Sequence, residues 1–390
     1  MAFARLNRLA DARSTLSLAL SIDPSDEFSR AALEDLIIMS TPIESIERQR
    51  WARWHFDRAR DYLVRNLADQ ALFEYRRGLR LDPNSASRSQ YAELLRSLGY
   101  PERQLSELRF MQELGKADRA VNDAVETYES LLADALYKRW SVDPIEISSR
   151  HWKVAVVSIA SQSASLHVDA GPVAANFVRD LLSHEGNIKA LDIDVRQSSF
   201  STAFRSAREA GADYFLVVSA TESGRDLSLH GKLYVARTGS VAASFSAFRT
   251  GSDRLRNSAR RIVDSLSAAL PFRASLVQRK AGLALIDKGK MDGVSKNSSY
   301  EIVRANSAFP KSEGLGLAYS PQDVVGTLVI DEVDEQISMG TLARSGFFDR
   351  IAAGDEVLVP AARDPESKKG LVPELEYADP ELRSLLRSLR

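Results

Sequence analysis

Ala71-Leu-Phe-Glu-Tyr75-Arg-Arg-Gly78-Leu-Arg-Leu-Asp-Pro83 repeats the pattern of an earlier stretch, Ala12-Arg-Ser-Thr-Leu16-Ser-Leu-Ala19-Leu-Ser-Ile-Asp-Pro24. In each, a small residue is followed four positions later by a large one, then three later by a second small one, then five later by proline. Helical periodicity places the first three on one face. Small residues let a neighbouring helix come close, the large one fills the remaining gap, and proline ends the helix. Working outward, residues 1–145 carry apolar side chains at three- and four-residue spacing with little glycine, which predicts helices throughout. Thr41-Pro42 and Gly99-Tyr100 mark breaks. The spacing predicts a helix pair over Ser87–Leu98 and Pro101–Leu114, followed by one long closing helix, Ala117–Trp140.

This periodicity resembles the tetratricopeptide (TPR) repeat. Tyr62, Ala71, Tyr75 and Gly78 fall on its consensus positions, and Phe3, Ala12, Leu16 and Ala19 repeat them in a unit that lacks the start of its first helix. The sequence also departs from the family. Pro24 and Pro83 lie 59 positions apart, more than one repeat of about 34 residues and less than two, so Glu27–Arg50 reads as a shortened unit. The resemblance implies a groove for a partner peptide or helix, faced by Arg53, Phe56, Arg60 and Leu63. Against that, the aromatics Trp51, Trp54, Phe56, Phe73 and Tyr75 read more simply as packing between helices.

At His151 the pattern changes. Trp152–Ala160 is a β-branched, apolar run suited to a central strand. It is followed by helical spacing over Asp169–His184, a strand over Ala190–Val195, and a helix over Ser198–Ala210 stopped by Gly211. Tyr214–Val218 reads as strand, Asp226–Arg237 and Ser240–Arg249 as a hairpin turning at Thr238-Gly239, and Arg254–Leu270 as an amphipathic helix ending at Pro271. We read this order as a βαβαββα domain over 150–273. The phrase Ala210-Gly-Ala-Asp213-Tyr-Phe-Leu-Val-Val218, where a helix delivers the chain into a strand, is similar to the N-terminal periplasmic domain of the Tol-system propeller protein. It is also similar to the core of the curli secretion lipoprotein and to the middle domain of FlgT-type flagellar proteins.

From Ala281 glycine and β-branched residues rise, and strands are expected at Ala281–Asp287, Ser299–Arg304, Asp323–Glu332, Ile337–Leu342 and Asp355–Val359. Asp292-Gly293-Val294, Val325-Gly326-Thr327 and Ala353-Gly354-Asp355-Glu356-Val357 resemble, in order, the turn and strands of the small β-barrel that closes FlgT-type proteins, here over 276–361. Asn306–Gln322 reads as a long inserted loop, either a contact site or the tip of a mobile hairpin. Residues 362–390 begin as a polar linker and end in a helix, Glu381–Arg390. Its Leu382, Leu385, Leu386 and Leu389 share one face and need a surface to dock on. The fold class expected is therefore multidomain α+β: an N-terminal α-helical TPR solenoid, a central βαβαββα domain and a C-terminal small β-barrel.

Composition narrows function by exclusion. The 390 residues include 52 basic and 53 acidic side chains, a balance without the basic excess a nucleic-acid binder needs. There is no cysteine, so disulfides, thiolate metal sites and cysteine nucleophiles are out. No apolar run reaches the roughly 20 residues of a membrane-spanning helix. Met1-Ala2-Phe3 enters helical pattern at once, which we read as a chain cut within a helix, so that a missing leader says nothing of location. Ser161–Ser165 lacks the glycines and lysine of a phosphate loop, and there is neither a GxGxxG nor a GxSxG motif. His55, His151, His167, His184 and His230 fall singly, and Asp192 and Asp194 read as two carboxylates on one strand face. No cofactor, metal or catalytic set is expected, and the chain reads as a non-enzyme.

The combined resemblance implies a periplasmic scaffold of the bacterial envelope. The flagellar motor is the first expectation, because a TPR array ahead of FlgT-like domains is similar to the periplasmic collar proteins of spirochaete flagella. A lipoprotein accessory of outer-membrane secretion or polysaccharide export is the second, and a ligand-sensing α/β domain the third. Expected partners are other envelope or motor proteins, met through the groove and the C-terminal segment, with self-association possible in a ring.

Overall fold

The computed structural model describes residues 2–142, 147, 151–160, 166–346 and 349–360. Its contacts divide the chain into two compact units, Met1–Ser141 and Val142–Arg390.

The first unit is helical: α1 (Ala2–Arg5), α2 (Leu9–Ile22), α3 (Glu27–Ser40), α4 (Ile46–Val64), α5 (Ala68–Leu81), α6 (Arg88–Ser97), α7 (Pro101–Glu113), α8 (Arg119–Leu131) and α9 (Leu136–Trp140). From α1 to α8, each helix packs on the next in sequence, as expected when short turns join amphipathic segments. The ends are set locally. Asp26 and Ser45 accept backbone N–H groups at the starts of α3 and α4, and Pro101 occupies the first turn of α7. The repeated positions lie where close packing requires them: Ala12, Leu16, Ala71 and Tyr75 are buried. At Gly78 a Cβ would collide with the ring of Phe56, so α4 and α5 meet through the missing side chain. The closing segment differs from expectation. It is two helices, α8 and α9, separated by a turn at Leu132–Ala135 in which backbone N–H groups bond three or four residues back without continuing the helix.

The second unit begins with a mixed sheet of β1 (Trp152–Ile159), β2 (Ile188–Leu191), β3 (Arg196–Gln197), β4 (Tyr214–Ser223), β5 (Asp226–Val235) and β6 (Val241–Thr250). The order is β2-β1-β4-β5-β6 with β3 also on β1. β2, β3 and β4 run parallel to β1, and β4, β5 and β6 pair antiparallel. The helices are α10 (Ala170–Leu182), α11 (Phe200–Glu209) and α12 (Arg254–Ala269). α11 covers the face carrying Ala155, Val157 and Phe215. α12 meets the opposite face, where its Ile262 lies near Gly231 beside Leu216, and α10 packs against α12. The element order is thus βαββαβββα: the three strands expected between Tyr214 and Arg249 are all present, one more than the label βαβαββα allows. The expected second strand is broken, and Asp192 and Asp194 lie in the break between β2 and β3 rather than along a strand.

A six-stranded closed barrel follows, with neighbours β12-β13-β8-β7-β14-β9. Its strands are β7 (Arg273–Lys280), β8 (Leu283–Ile286), β9 (Ser299–Val303), β12 (Val324–Val333), β13 (Ser338–Arg344) and β14 (Glu356–Leu358). Leu276, Ile286, Ile302, Leu328, Ile330 and Val357 fill it. β7 is an addition to the sequence reading, which began the barrel at residue 276 and missed a strand starting directly after Pro271. Gly340 faces the Val329 carbonyl where β13 crosses β12, a spot without room for a Cβ.

The insertion 306–322 carries a small hairpin, β10 (Phe309–Pro310) and β11 (Leu317–Ala318), and its contact lies within the chain. Thr238 Oγ1 donates to the Ser312 carbonyl at 2.9 Å, and the Gly316 N–H donates to the Tyr214 hydroxyl at 3.1 Å. Arg273 adds a second tie between sheet and barrel. It bonds Glu356 at 3.0 Å, lies 3.5 Å from Asp213, and stands over the Trp152 ring.

Candidate protein-docking site

Helices α3, α4 and α5 are held by a buried charge cluster. His55, 2% exposed, places Nε2 2.8 Å from Glu34 Oε1 and Nδ1 2.6 Å from Glu74 Oε2. A neutral imidazole has one N–H and would turn a lone pair toward one carboxylate, so the geometry calls for the doubly protonated ring. Burial works against that charge, but Glu34 and then Glu74 outweigh it and raise the His55 pKa. Burial would likewise raise Glu34, yet the Arg77 guanidinium, bonded to it, and His55 hold its carboxyl far below the usual range. Arg58 lies 3.4 Å from Glu74 and over the Trp54 ring. Arg30 stacks on the same ring at 3.5 Å. Trp51 and Trp54 therefore support cations between helices.

This frame positions a cleft of about 400 Å³ along α4, α5 and α6, lined by Arg60, Leu63, Tyr75, Ser89, Gln90 and Leu94. The volume lies within the roughly 300–1,000 Å³ of ligand sites. Tyr75 is fully buried and forms the floor, its hydroxyl donating to Gln90 Oε1 at 3.3 Å. Leu63 and Leu94 make the walls apolar. Arg60, paired with Asp57 one turn earlier, stands at the rim. An apolar side chain from another protein would lose water there, with the Arg60 cation, the Glu93 carboxylate and the Gln90 amide beside it to orient the backbone.

The structure therefore brings Arg60 and Leu63 together at the cleft. Arg53 is exposed on the same helix but does not line it. Phe56 does not face it: the ring is 4% exposed and packs against Gly78 and Tyr75. Tyr75, Gln90 and Leu94 were missed as lining residues. The α6 contribution follows from pairing across a turn, which one helix's periodicity does not reveal. Leu382, Leu385, Leu386 and Leu389 lie outside the described residues.

A second titratable group sits where β1 and β4 end. The buried Glu222 carboxylate accepts from His167 Nδ1 at 2.8 Å, from the His167 backbone N–H at 3.2 Å and from Arg254 at 2.9 Å. Burial would raise its pKa, but His167 and Arg254 leave it lowered. Asp169 pairs with Arg196 nearby. These bonds tie the β1–α10 loop to the sheet. Among the described residues no group of three or more His, Asp or Glu is placed to hold a metal, and no helix is long and apolar enough to cross a membrane. His184 and His230 are exposed, and Asp192 pairs with Arg179 at 3.0 Å.

No curated protein matches the chain. The PelC dodecamer from Paraburkholderia phytofirmans is similar at 22% identity over 30% of this chain and 87% of that one, with a TM-score of 0.22. The C-terminal domain of LpoB from Salmonella enterica is similar at 18% identity over 32% and 98%, TM-score 0.22. TolB from Acinetobacter baumannii is similar at 12% identity over 52% of this chain and 62% of its own length, TM-score 0.24. Residues 151–268, the span from β1 to the last turn of α12, match the family described as the second domain of TPASS_0648.

Proposed function

We propose that the chain is a non-enzymatic, protein-binding scaffold of the bacterial envelope, docking partners in the cleft between α4 and α6. The observation that carries this is the cleft itself: a floor of Tyr75 and walls of Leu63 and Leu94 along α4, α5 and α6. The two buried clusters at His55 and Glu222 support the same reading, because their charges are spent on one another and on holding helices and loops. The envelope setting rests on the Tol and curli likeness of residues 210–218. That likeness keeps its structural basis, since α11 ends at Glu209, Gly211 takes the left-handed conformation and β4 begins at Tyr214.

Within this class, an accessory of outer-membrane secretion or polysaccharide export is preferred to a flagellar collar. The test is affinity capture from envelopes of the native host with the intact chain and with Leu63→Glu and Arg60→Glu. A discrete envelope protein should be retained by the wild type and lost from Leu63→Glu. Equal retention by all three, or recovery of the chain with the cytoplasmic fraction, contradicts the proposal.

A further inference from the structure

A second cleft, of about 500 Å³, lies within the Val142–Arg390 unit between the sheet domain and the barrel. Its walls come from the turn after α10 (Glu185, Gly186), the last turns of α12 (Asp264, Ser267), Phe272 on the connection, and the barrel turn Lys288–Asp292. Its lining carries three carboxylates, Glu185, Asp264 and Asp292, against the two cations Arg273 and Lys288. Both α10 and α12 end here, so the negative ends of two helix dipoles converge. Pro271 lacks the N–H that would bond the Ser267 carbonyl, which leaves an acceptor at the end of α12.

Glu185 and Asp264 have no cation partner among the described residues. Arg273 is already committed to Glu356 and Asp213. An independent observation shows what such a place attracts. The barrel's Lys288, only 2% exposed, runs its side chain into this junction and donates from Nζ to the Gly186 carbonyl at 2.7 Å, with Asp292 at 3.3 Å. One ammonium does not balance Glu185, Asp264 and Asp292, and the remaining space is floored by Phe272 and Met291.

We propose that this cleft receives a lysine or arginine side chain from a basic segment of a partner protein. The cation would pair with Glu185 and Asp264 at the rim while its aliphatic stem covers Phe272 and Met291. The site is separate from the helical cleft and does not depend on it.

The test uses the intact chain and a fluorescein-labelled, capped peptide Gly-Lys-Phe-Lys-Phe-Gly, followed by polarisation. Binding should weaken about tenfold in Asp264→Lys and several-fold in Glu185→Gln. It should weaken as salt rises from about 50 to about 300 mM, and vanish when the peptide lysines are acetylated. Leu63→Glu, in the helical cleft, should leave it unchanged. Asp264 is exposed, so Asp264→Lys should melt with the wild type, and Glu185→Gln serves as the uncharged check. The proposal is overturned if the peptide does not bind, if acetylated peptide binds equally, or if Asp264→Lys and Glu185→Gln have no effect. It is equally overturned if Leu63→Glu abolishes binding, or if n-butylammonium binds as tightly as the peptide, which would make the cleft a small-amine pocket.

Discussion

Replacing His55 with glutamine removes a cation that bonds two buried carboxylates at once. Glutamine keeps much of the volume and can donate one hydrogen bond, so the change isolates charge rather than cavity formation. Glu34 retains Arg77, and Glu74 retains Arg58, which is 3.4 Å away and partly solvated. Breaking a buried ion pair on one side costs about 3–5 kcal/mol. Because arginines remain beside both carboxylates, the low end applies, and His55→Gln should destabilise the helical unit by about 3 kcal/mol. For a unit of this size that lowers the melting temperature by roughly 10 °C.

The pH dependence provides a second reading of the same reasoning. The folded His55 pKa is raised, so its stabilisation is complete below the unfolded value near 6.5 and is lost as pH climbs through the folded value. Glu34 has the opposite sign: its lowered pKa contributes stability above about 4.3 that is lost on acidification. The deficit of His55→Gln should therefore be largest near pH 6 and shrink toward alkaline pH. Urea unfolding followed by circular dichroism at 222 nm measures both. A deficit under about 0.5 kcal/mol at pH 6, or wild-type stability that stays flat into the alkaline range, refutes the buried imidazolium.

Tyr214→Phe removes the hydroxyl that Gly316 uses. It should cost about 1 kcal/mol and speed amide exchange across 309–318, with little change in the barrel strands. Gly340→Val drives a side chain into the Val329 carbonyl and should destabilise the barrel by about 3 kcal/mol, read as an earlier thermal transition. Glu222→Gln breaks the bonds to His167 and Arg254. It should accelerate exchange at 166–169 and remove the stability that the wild type keeps above the normal glutamate pKa and loses on acidification.

The local signals in the sequence carried the helices well. Pro24 and Pro83 open the turns after α2 and α5, and Ala71, Tyr75 and Gly78 lie on the packed face that their spacing implies. Gly78 also held the information that places Phe56, since a glycine opposite an aromatic ring marks where helices touch. The break between α8 and α9 had no such signal, because Leu132-Ala-Asp-Ala contains neither proline nor glycine. The charge cluster was illegible for a different reason: Glu34, His55, Glu74 and Arg77 stand apart in the sequence, and nothing joins them until three helices are brought together. Barrel closure is equally non-local. β7 pairs with β14 across about 80 residues, and nothing in Arg273–Lys280 alone announces that partner. The insertion 306–322 read as a contact site, and what it contacts is Tyr214 and the Thr238 turn of the same chain.

The docking claim is tested most directly by a photoreactive amino acid placed at Leu63, inside the cleft, and separately at Val64, exposed one position on. Irradiation in living cells of the native host should join the chain at position 63 to one discrete envelope protein, with no such product from position 64. Identical products from both positions, or none from either, would contradict the cleft as a partner site.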